Sequence, residues 1–275
     1  MKKIVISSNS SWNILNFRES LIKELSSIYK VYIFIPKDKN TNLIKLKGYN
    51  IRHIYLKPKT KNLISNFLSI LSYLYLFIKI KPDFYLGYTV KPNIIGSIAL
   101  LPFKTRVIIN FTGLGSLFTD KKYKFLKVFY IQIIKIIRKK ISYIILQNEY
   151  DYRYLRLNKI FIEKQLLIVR GSGIDYDYFT CQDSIYKKNK YKFLFLSRIK
   201  KEKGIDLFME AIKYFNLKSS LKADFLIAGP FESNEIYFKK TIFELESEFS
   251  NVKYLGNIDD PKKILEKVDV FVLPS

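Results

Sequence analysis

The chain alternates between two hydrophobic patterns. Short apolar runs of strand length, such as the stretch KIVIS near the N-terminus, alternate with longer segments in which apolar residues recur every third or fourth position. The first pattern is typical of buried β-strands and the second of amphipathic helices. Their regular alternation indicates βα units around parallel sheets, so the predicted fold class is α/β.

The predicted strands fall into two series. The first series lies near residues 3–7, 31–35, 51–56, 83–87, 106–110, 143–147 and 166–169. The second lies near 191–196, 223–228, 252–255 and 269–273, with helices near 205–216, 235–249 and 261–267. The segment DYDYFTCQDSIYKKNK between them follows neither period. We therefore predict a Rossmann-like domain over 1–175, a linker over 176–190 and a second Rossmann-like domain over 191–275. Both are doubly wound and face a cleft, where ligands bind at the carboxyl ends of the strands.

Charge and cysteine content narrow the class of protein. The chain has 48 Lys and Arg against 24 Asp and Glu, a net charge of +24. Such a surface favours polyanions, meaning nucleic acid, anionic lipid or phosphorylated substrates. Lysine used simply for solvated positions gives the same count, and both interpretations stay open. Cys181 is the only cysteine, which excludes an internal disulfide and a cysteine-based metal cluster and fits a reducing cytoplasm.

Two cations stand between a predicted strand and a predicted helix in FLFLSRIKKEKGI. Strand 191–196 brings Arg198 to the carboxyl edge of its sheet, and Lys203 lies where the next helix begins. Free N–H groups and the helix dipole favour an anion there. Arg can fork onto two phosphate oxygens, and Lys adds a point charge. The pair predicts a diphosphate clamp, with a solvated charged loop as the alternative.

Two apolar segments are candidates for contact with a membrane. The segment 63–80 carries polar residues at helical spacing and Lys79, and it is barely long enough to cross a bilayer. We expect an amphipathic helix that packs on the sheet or lies in the bilayer interface. The segment 121–140 mixes Lys and Arg with large apolar residues, and either binds anionic lipid or packs its apolar face on the core. The prediction is peripheral attachment without a transmembrane helix.

Ordered motifs carry a family resemblance. In the second half they are GSGID (171–175), FLFLSRIKKEKGI (193–205), FLIAGP (225–230), YLGNIDD (254–260) and VDVFVLPS (268–275). Together they resemble the retaining glycosyltransferases of family 4, which have the two-domain GT-B fold. In the first half they are NFRESLIKEL (16–25), GYTVKPNIIGSIA (87–99), NFTGLGSLF (110–118) and LQNEYDYRYL (146–155). These are similar to the bacterial subgroup that builds O-antigen, capsule and glycoprotein oligosaccharides on a polyprenyl diphosphate carrier.

The resemblance implies roles on the donor side. Arg198 and Lys203 match the pair that binds the diphosphate of a nucleotide sugar and stabilises its charge as the glycosidic bond breaks. Gly229 lets backbone approach the donor, unless it only ends a strand in an ordinary turn. Gly113 and Gly115 lie in a loop expected beside the reacting sugar, with a structural turn as the alternative.

The resemblance also indicates which residues could contact the acceptor. Asn16, Arg18 and Lys91 are the candidates for acceptor contacts, and a cap or a solvated charge is the alternative for each. The implied enzyme is a retaining, hexosyl-transferring glycosyltransferase with a nucleotide-sugar donor, expected to be UDP-linked, and a polyprenyl-diphosphate-linked acceptor. It would work in the cytoplasm, peripherally on the anionic inner face of the membrane, with no nucleic acid as partner.

Metal and cofactor are not expected. No Asp-x-Asp stands on a predicted strand edge, and Asp175–Asp177, which has that spacing, resembles the family's interdomain segment. The single histidine, His53, lies in or beside a strand and is interpreted as structural. Transfer is therefore expected to be metal-independent, with no identifiable general base.

The resemblance also bears on the C-terminal end. In the family, a paired-glutamate segment that binds donor sugar and ribose follows the motif ending in LPS, where this sequence ends at Ser275. The second domain is therefore expected to be incomplete, and residues 1–275 alone to transfer weakly or not at all. Two alternatives to a working transferase are an inactive remnant and a basic membrane- or nucleic-acid-binding protein on the same scaffold.

Overall fold

The structure is a computed structural model, and it describes residues 1–42, 47–57, 62–113, 124–179, 190–232, 235–258 and 260–274. The chain divides into two compact units, Met1–Asp175 and Tyr176–Ser275. Each unit holds one parallel sheet covered by helices, so the predicted α/β class is confirmed. Most of the predicted linker lies outside the described residues.

The first unit is built on a seven-stranded parallel sheet. Its strands are β1 (Lys3–Ser7), β2 (Lys30–Ile35), β3 (Ile51–His53), β4 (Phe84–Tyr88), β5 (Arg106–Phe111), β6 (Ile141–Leu146) and β7 (Leu166–Ile168). Their order across the sheet is β3-β2-β1-β4-β5-β6-β7. The chain thus adds strands in one direction up to β3 and in the other from β4 onward. The switch point lies between β1 and β4.

Helices cover both faces of this sheet. Those in the described residues are α1 (Ser11–Phe17), α2 (Glu19–Ile28), α3 (Leu63–Ile80), α4 (Val90–Ala99), α5 (Lys124–Ile137) and α6 (Glu149–Leu157). Polar caps fix several starts: the side chain of Ser10 accepts from the N–H of Asn13, and the side chain of Asn148 accepts from the N–H of Asp151. Arg18 lies between α1 and α2 and separates the two helices.

The two sheet faces have separate cores because successive strand residues point to opposite sides. On one face, the buried rings of Phe34, Phe77 and Tyr85 pack with α3 and α4. On the other face, Ile6 and Leu86 pack with α1 and α2. Parallel strands buried on both faces read as continuous apolar runs, which is the reason the sequence shows them so clearly.

The second unit holds a four-stranded parallel sheet. Its strands are β8 (Tyr191–Leu196), β9 (Ala223–Ala228), β10 (Val252–Tyr254) and β11 (Val270–Phe271), and its helices are α7 (Ile205–Lys218), α8 (Ile236–Glu248) and α9 (Pro261–Leu265). The strand order is β10-β9-β8-β11, which puts the switch point between β8 and β11. The strands of both series lie where the sequence predicted them, although β3 and β11 are shorter than expected.

Helix α3 is the one helix of the described chain that is long and apolar enough to cross a membrane by length and composition, and 33% of it is buried inside the protein. Its N-terminal half departs from the expected arrangement. The small polar residues Ser65 and Ser69 face the interior, whereas Ile64, Phe67 and Leu71 are exposed. The expectation that its apolar side packs on the sheet therefore holds only for its second half, which buries Tyr73 and Phe77.

A buried hydroxyl pair joins α3 to the end of β1, and we predict that it contributes measurably to stability. The Tyr73 and Ser7 hydroxyl oxygens are 2.6 Å apart, and Tyr73 is fully buried. Tyr73→Phe should lower the free energy of unfolding by about 1 kcal/mol, since the buried Ser7 hydroxyl loses one of its two hydrogen-bond partners and keeps only the carbonyl of Phe34. The urea unfolding midpoint measures this loss. Tyr75→Phe, on the exposed side of the same helix, is the control, and equal effects of the two changes would contradict the prediction.

Candidate functional site

The loop after β8 is fixed by backbone hydrogen bonds to the neighbouring strand. The N–H of Ser197 donates to the carbonyl of Ala228 over 3.1 Å, and the N–H of Ile199 donates to Pro230 over 3.0 Å. A short 3₁₀ turn, Lys201–Lys203, then leads into α7. Arg198 is therefore held at the carboxyl edge of the sheet, next to the switch point, as the sequence predicted for its backbone.

Two glycines make this edge compact. A Cβ on Gly229, which has a φ of 130°, would lie 1.8 Å from the carbonyl oxygen of Ser197. A Cβ on Gly204, with a φ of 69°, would lie 2.2 Å from the carbonyl oxygen of Pro274, in the segment after β11. Only glycine fits either place, because both the dihedral angle and the space exclude a side chain. The loops after β8, β9 and β11 thus meet at one point.

The two predicted cations differ in their surroundings. Arg198 donates from Nη1 to Glu232 Oε1 over 2.6 Å, and the side chains are 60% and 41% exposed. Such a pair is weak and screened by salt. Lys203 is half-buried, and no carboxylate of the described chain forms an ion pair with it. Asp206 already occupies the first turn of α7, so an anion here would depend on the two cations more than on the helix dipole.

The predicted residues of the first unit that the structure describes lie on different elements or in the loops between them. Asn16 is exposed, and its amide donates to the carbonyl of Trp12 in its own helix. Lys91 lies in the first turn of α4, and its Nζ donates to the carbonyl of Lys57 and to Asn66 Oδ1 of α3. Burial lowers the pKa of Lys91. Gly113 has a φ of 152°, which favours glycine, and its Cβ position is open space. Gly115 lies outside the described residues.

Arg18 has the most unusual position of the predicted residues. It is only 4% exposed, and its guanidinium carbon lies 3.9 Å from the centre of the Tyr88 ring. Burial lowers the pKa of Arg18, and it raises the pKa of Tyr88 to about 12. The Nε of Arg18 is buried without a hydrogen-bond partner. A solvated charge is therefore the wrong interpretation of Arg18.

Four further polar residues of the first unit were not among the residues predicted from the sequence, and three of them lie at the carboxyl ends of β1, β4 and β5. Each has a buried side-chain oxygen without a hydrogen-bond partner: Ser8, Asn13, Thr89 and Asn110. Thr89 also has a φ of 67°, which is rare for a β-branched residue. The available signal was the position of Ser8, Thr89 and Asn110 at the ends of three predicted strands.

The structure also bears on the single histidine, on a metal site and on the second apolar segment. His53 ends the edge strand β3 and is exposed. In the described part of the chain, no group of three His, Cys, Asp or Glu side chains is placed to hold a metal ion. In the second apolar segment, Ile134 and Ile137 of α5 are buried in the core, and Ile136 is exposed.

The comparisons with known proteins fit this architecture. Two doubly wound parallel units, with a basic loop at the carboxyl edge of the second, are the arrangement of a GT-B glycosyltransferase. A glycosyl transferase 4-like family model matches residues 3–148, and a glycosyl transferases group 1 model matches residues 181–275. The chain belongs to the glycosyl transferase 4-like family.

Relatives and solved structures extend this result. The chain is 25% identical, over 98% of its length and 73% of the relative's, to the N,N'-diacetylbacillosaminyl-diphospho-undecaprenol alpha-1,3-N-acetylgalactosaminyltransferase of Campylobacter jejuni. It superposes on Anabaena Alr3699/HepE, solved with UDP and glucose, with a TM-score of 0.74 at 14% identity, covering 100% of this chain and 74% of that one. A Rickettsia africae glycosyltransferase gives 0.71 at 16% identity, covering 100% and 73%. The last two likenesses show the fold.

At Gly229, the cost of steric overlap with the Ser197 carbonyl can be separated from the cost of an unfavourable φ. Gly229→Ala should lower the free energy of unfolding of the second unit by about 3 kcal/mol, because the new methyl group overlaps the Ser197 carbonyl in a region unfavourable to alanine. Gly256→Ala is the matched control: it has a φ of 73° but nothing within 4 Å of its Cβ. It should cost about 1 kcal/mol. Denaturant unfolding of both variants checks this, and similar losses would show that close approach is unimportant.

Proposed function

We propose that this glycosyltransferase moves a sugar from a UDP-linked donor to an acceptor carried on a polyprenyl diphosphate. Transfer retains the anomeric configuration and needs no metal ion. In this proposal the first unit binds the acceptor and the second binds the donor. The observation that carries it is the placement of Arg198 and Lys203 at the carboxyl edge of the second sheet, next to the switch point of a family member.

The donor assignment follows from charge development. When the glycosidic bond of a nucleotide sugar breaks, negative charge grows on the leaving diphosphate, and fixed cations beside it lower the barrier. Arg198 supplies a planar fork and Lys203 a point charge. Gly229 supports this role because its missing side chain lets the backbone next to Arg198 lie close to the edge. The Anabaena structure with UDP and glucose supports a uridine donor.

The acceptor assignment rests on the Campylobacter relative, whose name specifies a diphospho-undecaprenol acceptor. Asn16, Arg18 and Lys91 remain proposed acceptor contacts. Lys91 would have to exchange its bonds to Lys57 and Asn66 for bonds to a phosphate. Gly113 and Gly115 remain proposed neighbours of the reacting sugar.

A lipid-linked acceptor calls for a membrane surface, and α3 offers one. Its exposed apolar side chains recur at helical spacing and form a continuous face: Ile64, Phe67, Leu68, Leu71, Tyr75 and Ile78. Exposed apolar patches of this kind mark protein or membrane contacts. Basic residues such as Lys79 and the overall net charge of +24 favour an anionic lipid surface as the partner. We propose that α3 lies in the interface on the cytoplasmic side of the membrane.

Removal of either donor-side cation should reduce donor binding and transfer. Arg198→Ala or Lys203→Ala should lower the rate of sugar transfer to a polyprenyl-diphosphate-linked acceptor at least about tenfold, a loss of roughly 1.4 kcal/mol of transition-state stabilisation. Affinity for UDP, measured by calorimetry, should fall in parallel. Lys201→Ala, which removes an exposed cation from the same loop, is the matched control. Unchanged UDP affinity in both site variants would refute the donor assignment.

Membrane attachment is tested with lipid vesicles. The wild-type protein should co-sediment with vesicles containing phosphatidylglycerol and much less with purely zwitterionic ones, and added salt should weaken the binding. The double change Ile64→Glu and Phe67→Glu should reduce binding at least about tenfold, because two carboxylates would enter the interface.

Leu207→Glu and Leu217→Glu together place the same charge on exposed positions of α7 and serve as the control. A control that loses as much vesicle binding as the α3 variant would point to net charge alone, and the assignment to α3 would then fail.

A further inference from the structure

A cleft opens at the amino ends of β1, β4 and β5, at the edge of the first sheet opposite to Ser8, Thr89 and Asn110. Its volume is about 460 Å³, and it is lined by the residues that precede or begin these strands, at positions 2, 81–84 and 103–106. Strand β4 has five residues, so roughly 16 Å of sheet lie between this amino-edge cleft and the carboxyl edge. None of its lining residues is among those proposed for the donor or the acceptor.

The amino-edge cleft is strongly basic. Asp83 carries the one negative charge of its lining, against four positive charges from Lys2, Lys81, Lys104 and Arg106. In the described part of the chain, no ion pair joins any of these four cations to a carboxylate. Asp83 is tied to the backbone instead, since its Oδ2 accepts from the N–H of Lys3 over 2.7 Å. Cations that share a small volume repel one another, and this arrangement therefore favours an anion between them.

Lys81 occupies a position that favours glycine. It caps the C-terminus of α3 with a φ of 51°, in the left-handed region, where a side chain costs about 1 kcal/mol. The helix dipole favours a cation at this end, but Lys3 already supplies one, because its Nζ donates to the carbonyl of Ile80 over 2.9 Å. The side chain of Lys81 makes no hydrogen bond or ion pair with any described residue. Its cation is therefore placed in the cleft at a cost that the helix end does not require.

The walls of the cleft are fixed by the fold. Phe84 is paired with Ile4 of β1 on one side and with Arg106 of β5 on the other. The buried hydroxyl of Thr105 donates to the carbonyl of Pro82 over 2.7 Å and joins the segment before β5 to the segment before β4. A site with fixed walls loses little conformational entropy when a ligand binds.

The size and the lining of the cleft define its ligand. The volume lies in the range of small-molecule sites and exceeds what an inorganic phosphate ion needs. A phosphomonoester carries close to two negative charges at neutral pH and offers three acceptor oxygens, and Arg106 can fork onto two of them. Phe84 and Phe103 pack against the two cores of the unit and give the cleft apolar walls. Lys2 Nζ and Arg106 Cζ both lie 6.0 Å from the centre of the Phe84 ring, so charged and apolar walls adjoin.

We infer that the amino-edge cleft binds an organic phosphate, a monoester or a diphosphate, with its charged group among the four cations and its organic part against the two phenylalanine rings. This second anion site goes beyond the proposed function and does not rest on it. The phosphate has two possible sources, a phosphorylated metabolite in solution and the headgroup of a phosphomonoester lipid. The second source fits the position of the cleft, because the exposed Ile78 of α3 lies three residues before Lys81.

A cleft variant and a matched control locate the binding. The cleft variant combines Lys81→Asn, which tolerates the left-handed conformation, with Lys104→Gln. The control combines Lys159→Asn with Lys164→Gln on the same unit. Lys159 is also left-handed, with a φ of 49°, and both control lysines are exposed. The two variants therefore lose the same charge from similar backbone positions.

Calorimetry tests the soluble source. The probes are AMP, ADP, glycerol 3-phosphate and inorganic phosphate, and the titrations use protein with Arg198→Ala and Lys203→Ala, so that the proposed donor clamp does not contribute. At least one organic phosphate should bind about tenfold or more tightly than inorganic phosphate. The cleft substitutions, added to this protein, should weaken that binding at least about tenfold, and the control substitutions should leave it unchanged.

Vesicles test the lipid source. Phosphatidate is a phosphomonoester and phosphatidylglycerol a diester, and vesicles of the two are matched in surface charge so that general attraction to anionic lipid cancels. The otherwise unsubstituted protein should bind phosphatidate vesicles at least about threefold more tightly. The cleft variant should lose this preference, and the control should keep it.

The outcomes of the two experiments are decisive together. Cleft-dependent binding in solution identifies a metabolite, and a cleft-dependent preference for phosphatidate alone identifies a lipid. No cleft-dependent binding in either experiment, or an equal loss in the control, would overturn the inference. Without ligand, the cleft variant should melt at the wild-type temperature or above, because repulsion between cations is relieved. A markedly lower melting temperature would assign the lysines to the fold and also overturn it. UDP affinity and sugar transfer test the proposed function separately.

Discussion

The reversal of strand order within each parallel sheet determines where each unit can form a crevice for a small ligand at the carboxyl ends of its strands. On the two sides of a reversal, successive connections leave the sheet toward opposite faces, and a crevice opens at the carboxyl ends of the two central strands. In the first unit, β1 leads to helices on one face and β4 leads to α4 on the other. Arg18, which lies over the ring of Tyr88 at the end of β4, and the loop that holds Arg198 are both next to such reversals.

The sequence predicted the sheets well because parallel strands are buried on both faces. Runs such as VYIFI and FLFL leave no polar face to confuse the period, and the basic loop that follows FLFL lies at the carboxyl end of β8, where the sequence predicted it. Tertiary burial was harder to predict. Arginine within an amphipathic helical segment reads as solvated, and only the break between α1 and α2 turns Arg18 inward.

Polar residues at strand ends were missed for a related reason. Ser8, Thr89 and Asn110 look like ordinary punctuation between elements, because serine, threonine and asparagine favour turns and caps. Whether such a residue finds a partner depends on the register of neighbouring strands, which no local pattern contains. The inward-facing Ser65 and Ser69 of α3 show the same limit. The period of the helix predicts that polar and apolar residues lie on different faces, but it does not tell which face packs against the protein.

The ion pair between Arg198 and Glu232 means that Arg198 of the proposed donor site already has an anionic partner before a nucleotide arrives. A guanidinium paired with a carboxylate is close to neutral as a unit. An arriving phosphate therefore exchanges one anion for another and does not bind to an unpaired cation. The exchange weakens the hold on the nucleotide by the strength of the displaced pair. The same carboxylate is at hand to pair with Arg198 again when the nucleotide leaves, so the guanidinium keeps an anionic partner in both states of the proposed site.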